Sequence, residues 1–242
     1  MRDRTAWSGD STDARRSRQG RAWCRLPAVP HHRPLISPTS VPPRPKAYDR
    51  AYFDKWYRSP AHRVRTTAEL NRTAAFVVAA AEYVLGRPVR TVLDVGAGEG
   101  AWRAALRRAR PGIVYQGVDP SEYAIRRYGR RRDLLLGTLG ELDDLPLRDG
   151  YDLVLATDVL NYLTANELVD GLPRLAARAD GMLYLELLTA NDELEGDTTF
   201  PQTHAAVWLR RTVRRAGLVG CGLHCYLPRA LAGRLTEMER AW

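Results

Sequence analysis

From residue 90 onward, short apolar runs alternate with stretches whose apolar residues recur every three or four positions. Residues 90–95, 113–118, 134–136, 151–156 and 182–188 read as buried strands. Helical spacing covers 99–109, a short helix from Ser121 through Tyr128, 166–179 and 205–216. The punctuation agrees with these breaks. Pro111-Gly112 ends one helix, Asp149-Gly150 turns the chain into a strand, Gly181 opens the next strand, and Gly217 ends a helix. Ser121 is placed to cap its helix, and Pro173 marks a kink or break inside 166–179. Strand–helix alternation with short loops predicts an α/β fold with a doubly wound, mostly parallel sheet flanked by helices. Residues 218–227 read as a last strand and 228–242 as a further helical pattern.

Two helices are expected before the first strand. Tyr48, Tyr52, Phe53, Trp56 and Tyr57 recur at helical spacing until Ser59-Pro60. Thr66 or Thr67 caps a second helix, with Leu70, Ala74, Val77, Val78, Ala81 and Val84 as its apolar members, and Gly86-Arg87-Pro88 stops it. The chain therefore divides into a tail at 1–46, a helical lid at 47–88 and an α/β core at 89–242. The aromatic stripe of the first helix is either ordinary core or the cover of a pocket.

Composition changes the picture mainly at the N-terminus. The chain has 242 residues, 45% of them hydrophobic, and a formal charge of +9. Residues 1–46 hold ten basic and three acidic residues, so most of the excess charge lies there. With seven prolines and no hydrophobic period, this tail is expected to be disordered. The chain has 35 arginines and only two lysines, Lys46 and Lys55, which points to a GC-rich coding sequence. A start assigned too far upstream would produce such a leader, with Val41 or Val64 as the true initiation point. The rival is an arginine-rich arm for RNA or an acidic partner. No apolar run approaches the ~20 residues that span a bilayer, and the charged N-terminus lacks a secretory pattern, so a cytoplasmic enzyme without a membrane partner is expected. Cys24, Cys221 and Cys225 make no disulfide framework. Cys221 and Cys225 are expected as buried thiols, and strand alternation turns His224 away from both, so no metal site is expected.

The chemistry concentrates in Asp94-Val95-Gly96-Ala97-Gly98-Glu99-Gly100. A strand, a tight glycine turn and a helix N-terminus follow one another, which lets a ligand approach bare backbone. Gly96, Gly98 and Ala101 also fit the looser dinucleotide-binding form, and a purely structural turn is a third reading. Asp94 decides between them: it would repel a phosphate but can accept hydrogen bonds from an ammonium group or its bridging water. This segment resembles the first motif of the class I S-adenosylmethionine-dependent methyltransferases. The resemblance implies a Rossmann-like fold with S-adenosyl-L-methionine lying over Asp94, Gly96, Ala97 and Gly98. It implies that Asp119, beside Pro120 at the end of the second strand, accepts the ribose hydroxyls. It also implies an adenine site after the third strand. Thr138 stands there where the family has an acid, Leu139 would cover one adenine face, and Glu141 would take the amino contact. Asp158, after the fourth strand, would stand near the transferred methyl group. The chain departs from the family in two ways. Asn161 and Tyr162 replace histidines common there, and no antiparallel seventh strand is evident.

Methyl transfer requires alignment and exclusion of water, and a base only when the acceptor must lose a proton. Asp158, Glu186 and His204 are the candidates. Glu186 interrupts the apolar run 183–188, where a carboxylate needs a cleft or a partner. Asp158 has capping of the next helix as its alternative role, Glu186 a satisfied ion pair, and His204 an exposed loop position. Residues 190–202 read as an acidic substrate loop. The favoured reading is methyl transfer to a small-molecule acceptor. The alternatives are a nucleic-acid or protein methyltransferase, and a non-methylating relative that binds the same cofactor or a nicotinamide. Nucleic acid is disfavoured because Asp158-Val159-Leu160-Asn161 stands where a base-flipping enzyme would carry an Asn-Pro-Pro-Tyr-like motif.

Overall fold

The structure, a computed structural model, describes residues 46–190, 192, 197 and 201–221. The chain divides into Met1–Arg44 and Pro45–Trp242. The first lies wholly outside the described residues, as do Cys24, His224, Cys225, most of the 218–227 strand, the 228–242 helix and most of the 190–202 loop.

Asp49 caps α1 (Arg50–Phe53) by accepting from the Tyr52 amide at 3.0 Å. The helix then widens into a π-helical turn, Asp54–Arg58, a geometry often found at functional sites. Thr66 and Glu69 form a capping box at the start of α2 (Thr67–Leu85), and Gly86 ends it in the left-handed conformation. The alternating core follows: β1 (Thr91–Val95), α3 (Ala101–Ala109), β2 (Val114–Asp119), α4 (Glu122–Arg132), β3 (Leu134–Leu136), β4 (Tyr151–Ala156), α5 (Ala165–Ala177), β5 (Ala179–Leu185) and α6 (Ala206–Arg215). Ser121 caps α4 through the Ala124 amide, as expected, but α4 continues to Arg132, four residues past Tyr128. Pro173 sits inside α5 without ending it. β5 begins at Ala179 rather than at Gly181 and stops at Leu185, so Glu186 follows the strand instead of interrupting it.

The sheet order is β3-β2-β1-β4-β5, and every pairing is parallel. Alternation along each strand splits the interior in two. Val92, Leu153 and Leu155 pack with Ala74, Val77, Trp102 and Leu106 of α2 and α3. Leu93, Val154 and Ala156 pack with Leu168, Leu172 and Leu209 of α5 and α6. Burying a Val or Leu side chain stabilises by roughly 1.5–3 kcal/mol, so both faces contribute and the sheet is fixed from either side. Among the described residues there is no antiparallel strand. Cys221 is exposed and outside any strand, contrary to the buried thiol expected there. No described helix is long and apolar enough to cross a membrane.

Candidate functional site

β2 and β3 lie on one side of β1, and β4 and β5 on the other. The strand order reverses between β1 and β4, so a crevice opens at their carboxyl ends, where ligands bind in open parallel sheets. The glycine turn forms its floor. The amides of Gly96 and Ala97 both donate to the Val118 carbonyl, at 2.9 and 3.1 Å. The Gly98 amide donates to Asp119 Oδ2 at 2.6 Å, and the Ser121 amide donates to Asp119 Oδ1 at 2.9 Å. Asp119 therefore shapes the turn besides facing the cleft, and each of its oxygens keeps a second lone pair. Burial pushes its carboxyl pKa up, and the two amide bonds oppose that rise. Gly96 has φ +79°, and a Cβ there would come within 2.6 Å of the Val159 side chain, so this position accepts only glycine.

Behind the turn, Asp94 is fully buried. The Tyr115 hydroxyl donates to its Oδ2 at 2.6 Å, while Oδ1 has no hydrogen-bond partner. Burial raises the Asp94 pKa to about 7, opposed by the Tyr115 bond and increased by nearby Asp119.

The N-terminal helical segment covers the front of the crevice. Ser121 Oγ donates to the Tyr48 carbonyl at 2.6 Å, and Arg58 pairs with Glu99 of the glycine turn at 2.5 Å. Phe53 stacks on Tyr123 at 5.7 Å between ring centroids, and the Tyr57 hydroxyl lies against Gly98. Tyr48, Tyr52, Phe53 and Tyr57 thus line the crevice opposite Gly96, Gly98, Asp119 and Pro120, with Asp158, Val159 and Tyr162 at its side. The free space is about 60 Å³. Small-molecule sites hold roughly 300–1,000 Å³, so the crevice is narrow as it stands.

An acidic group lies at the β4 and β5 ends. Asp158 has φ +55°, a left-handed conformation that costs a non-glycine residue about 1–2 kcal/mol. Arg65, from the loop between α1 and α2, lies 3.1 Å from Glu186 Oε1 and 3.9 Å from Asp158 Oδ2. Glu186 is 5% exposed, and its Oε2 has no hydrogen-bond partner. Burial, then the Asp158 charge, raises its pKa to about 7, opposed by Arg65. Asp158 is also raised by its enclosed setting, against the pull of Arg65, yet half of its side chain remains open to the cleft.

The structure therefore brings Gly96, Gly98, Asp119, Pro120 and Asp158 to one crevice, with Asp94 behind it and Glu186 beside Asp158. Other expected positions lie elsewhere. Ala97 and Leu139 are turned into the two cores. Thr138 and Glu141 form a capping box with each other, with Glu141 Oε2 accepting from the Thr138 amide at 2.8 Å, so they serve a 3₁₀ turn instead of lining the crevice. His204 stacks on Trp208 at 4.5 Å and faces the Leu163 carbonyl, away from the crevice lining. Arg65 and Tyr115 are additions that sequence reading missed. Tyr115 carried the period of a core residue, and nothing links Arg65 in sequence to Glu186, 121 positions away.

A parallel sheet with a glycine turn and strand-end acids at its switch point defines a Rossmann-like fold with its crevice where such folds bind ligands. Residues 93–183 match the family model of a methyltransferase domain. Among solved structures, DesVI of Streptomyces venezuelae is 16% identical, with 63% of this chain and 84% of that one covered at a TM-score of 0.51. The plantazolicin methyltransferase BamL is 14% identical, with 62% of each chain covered at a TM-score of 0.50. An O-methyltransferase family protein from Burkholderia thailandensis is 22% identical over 63% of this chain and 53% of that one, at a TM-score of 0.46. The first two likenesses show the same fold. The chain spans about half to two thirds of the length of the first solved structures it matches. No curated protein matches it by sequence.

Proposed function

We propose that the protein transfers a methyl group from S-adenosyl-L-methionine to a small-molecule acceptor. The observation that carries this reading is Asp94, a fully buried carboxylate with a partnerless oxygen directly behind a backbone glycine turn. Such an oxygen is costly unless a ligand donates to it, and an ammonium-bearing nucleoside does so where a pyrophosphate would be repelled. Asp94, the bare backbone of Gly96 and Gly98, and Asp119 would hold the cofactor, which supplies an electrophilic methyl carbon when bound. Asp119 has the lone pairs to accept ribose hydroxyls without giving up the amides it already holds.

The rest of the work falls to the chain's own residues. Phe53 and Tyr57 exclude water from the crevice when the lid is down. Tyr57 has to turn away from Gly98 for a nucleoside to enter, and the π-helical turn that carries it is the element that moves. Asp158 meets the acceptor because half of its side chain opens to the cleft. Glu186 lies behind it, and Arg65 holds both. With Glu186 raised to about 7, the pair takes a proton from an acceptor near neutral pH and keeps it away from the cofactor site. The charge outside the tail is nearly balanced, which supports a small acceptor over a nucleic acid.

Equilibrium titration of the full chain with S-adenosyl-L-methionine and, separately, with NAD tests the cofactor. Binding of the first alone is expected, and preference for the second would overturn the proposal. A panel of metabolite acceptors with methyl-labelled cofactor then tests transfer.

A further inference from the structure

The side of the crevice holds an arrangement that the methyl-donor site does not explain. The Lys46 ammonium is buried over the Tyr162 ring, 3.6 Å from its centroid, with the Tyr52 and Tyr48 rings at 5.2 and 5.4 Å. It forms an ion pair with Asp197, whose side chain is 6% exposed. The Tyr162 hydroxyl donates to the Asp197 backbone carbonyl at 3.1 Å, which fixes the ring against the carboxylate. Three aromatic faces and a buried carboxylate around one cation make an ammonium cage. Tyr48, Tyr52 and Tyr162 also line the crevice with Gly96, Gly98 and Asp158.

The identity of the occupant is informative. The chain uses arginine at 35 of its 37 basic positions, yet one of its two lysines stands here. A compact ammonium fits a cage of rings, whereas a planar guanidinium stacks and forks. Burying a lysine head also costs several kcal/mol unless its surroundings are built for it. Lys46 stands just before α1, so it is tethered to the segment that covers the crevice.

We propose that this cage is the recognition subsite for an ammonium group on the acceptor, and that Lys46 is its tethered internal occupant. The acceptor is then a small amine or quaternary ammonium compound, which competes with Lys46 for the cage. The cage as a cation site stands on its own geometry; its assignment to the acceptor rests on the methyltransferase reading.

The probe is tetramethylammonium chloride, titrated into the full chain at matched ionic strength and followed by NMR of ring-labelled tyrosines. tert-Butyl alcohol serves as the neutral counterpart of similar shape. Lys46→Ala is expected to lower the dissociation constant for tetramethylammonium by about tenfold or more, by freeing a preformed cation–π site. Tyr162→Leu in that background is expected to abolish saturable binding, and Asp197→Asn to weaken it several-fold. The alcohol is expected not to saturate. Equal affinity in Lys46→Ala and the unsubstituted chain, or equal binding of the alcohol, would overturn the cage. The same samples are titrated with S-adenosyl-L-methionine. Normal cofactor binding with no tetramethylammonium binding by Lys46→Ala overturns the cage alone. Failure of the unsubstituted chain to bind the cofactor overturns the assignment to an acceptor.

Discussion

The Tyr115 hydroxyl holds one oxygen of Asp94 at 2.6 Å and leaves the other buried without a partner. The hydroxyl cannot offset the burial, so Asp94 keeps its proton up to about pH 7 in the folded chain. An unfolded aspartate releases its proton near 4. Between those values the folded state binds more protons, so this group lowers stability as pH rises from about 4 through about 7. Asp94→Asn removes that slope. The variant is expected to gain on the parent protein by up to roughly 3–4 kcal/mol between pH 4 and pH 8, because each pH unit separating the folded and unfolded pKa values is worth about 1.4 kcal/mol. Urea unfolding of both proteins across this range measures the gap. Saturating cofactor, by donating to the ionised carboxylate, is expected to shrink it.

Gly96 couples a positive φ to the Val159 side chain. Gly96→Ala is expected to destabilise by at least about 2 kcal/mol and to weaken cofactor binding more than tenfold, through left-handed strain plus the collision. Gly140→Ala is the control, because a Cβ there meets nothing closer than 3.8 Å, and a change under about 1 kcal/mol is expected. Chemical unfolding and calorimetric titration read both effects.

Asp119→Ala strands the Gly98 and Ser121 amides and removes the proposed ribose acceptor. A loss of about 1–3 kcal/mol in cofactor binding is expected for removing charged hydrogen bonds. Asp119→Asn should retain part of it, since the amide carbonyl still accepts from one backbone N–H. Isothermal titration separates the two variants.

Arg65 is the cation that favours the ionised forms of Glu186 and Asp158. Arg65→Gln is expected to move the acidic limb of the kcat–pH profile upward by about one pH unit or more, because removing a nearby opposite charge favours the protonated carboxyl. Glu186→Gln should flatten the same limb. A purely structural role for Arg65 would lower kcat without moving the profile.

Arg58 ties the lid to Glu99. Arg58→Ala is expected to speed cofactor association several-fold, with a smaller change in affinity, because the latch acts on opening more than on the bound contacts. Stopped-flow fluorescence, with Trp56 on the lid as reporter, measures the association rate.

Much of the core was legible because its signals are local. Thr66 and Glu69 announce their capping box three residues apart, and 153–156 is apolar on both faces, as expected of a central parallel strand. The same local signal was present at Thr138 and Glu141, a Thr-x-x-Glu pattern, but the family likeness drew those residues toward adenine. Their capping box shows the simpler use. The glycine turn and the strand-end acids were readable because chain order dictates their place at the switch point. Arg65 with Glu186, and Lys46 with Tyr162, were not. Each pair joins segments more than a hundred residues apart through side chains that follow no period, so only the folded arrangement of lid over sheet brings them together.

Asp158 carries two demands at one position. Its φ of +55° suits glycine, asparagine or aspartate, and its place beside Arg65 calls for a negative charge. Glutamate keeps the charge but resists the backbone, while asparagine and glycine keep the backbone but lose the charge. No single substitution preserves both, so the position has no neutral neighbours in sequence space. Mutational drift or directed evolution toward a new acceptor has to proceed around this residue, through the lid and the aromatic wall.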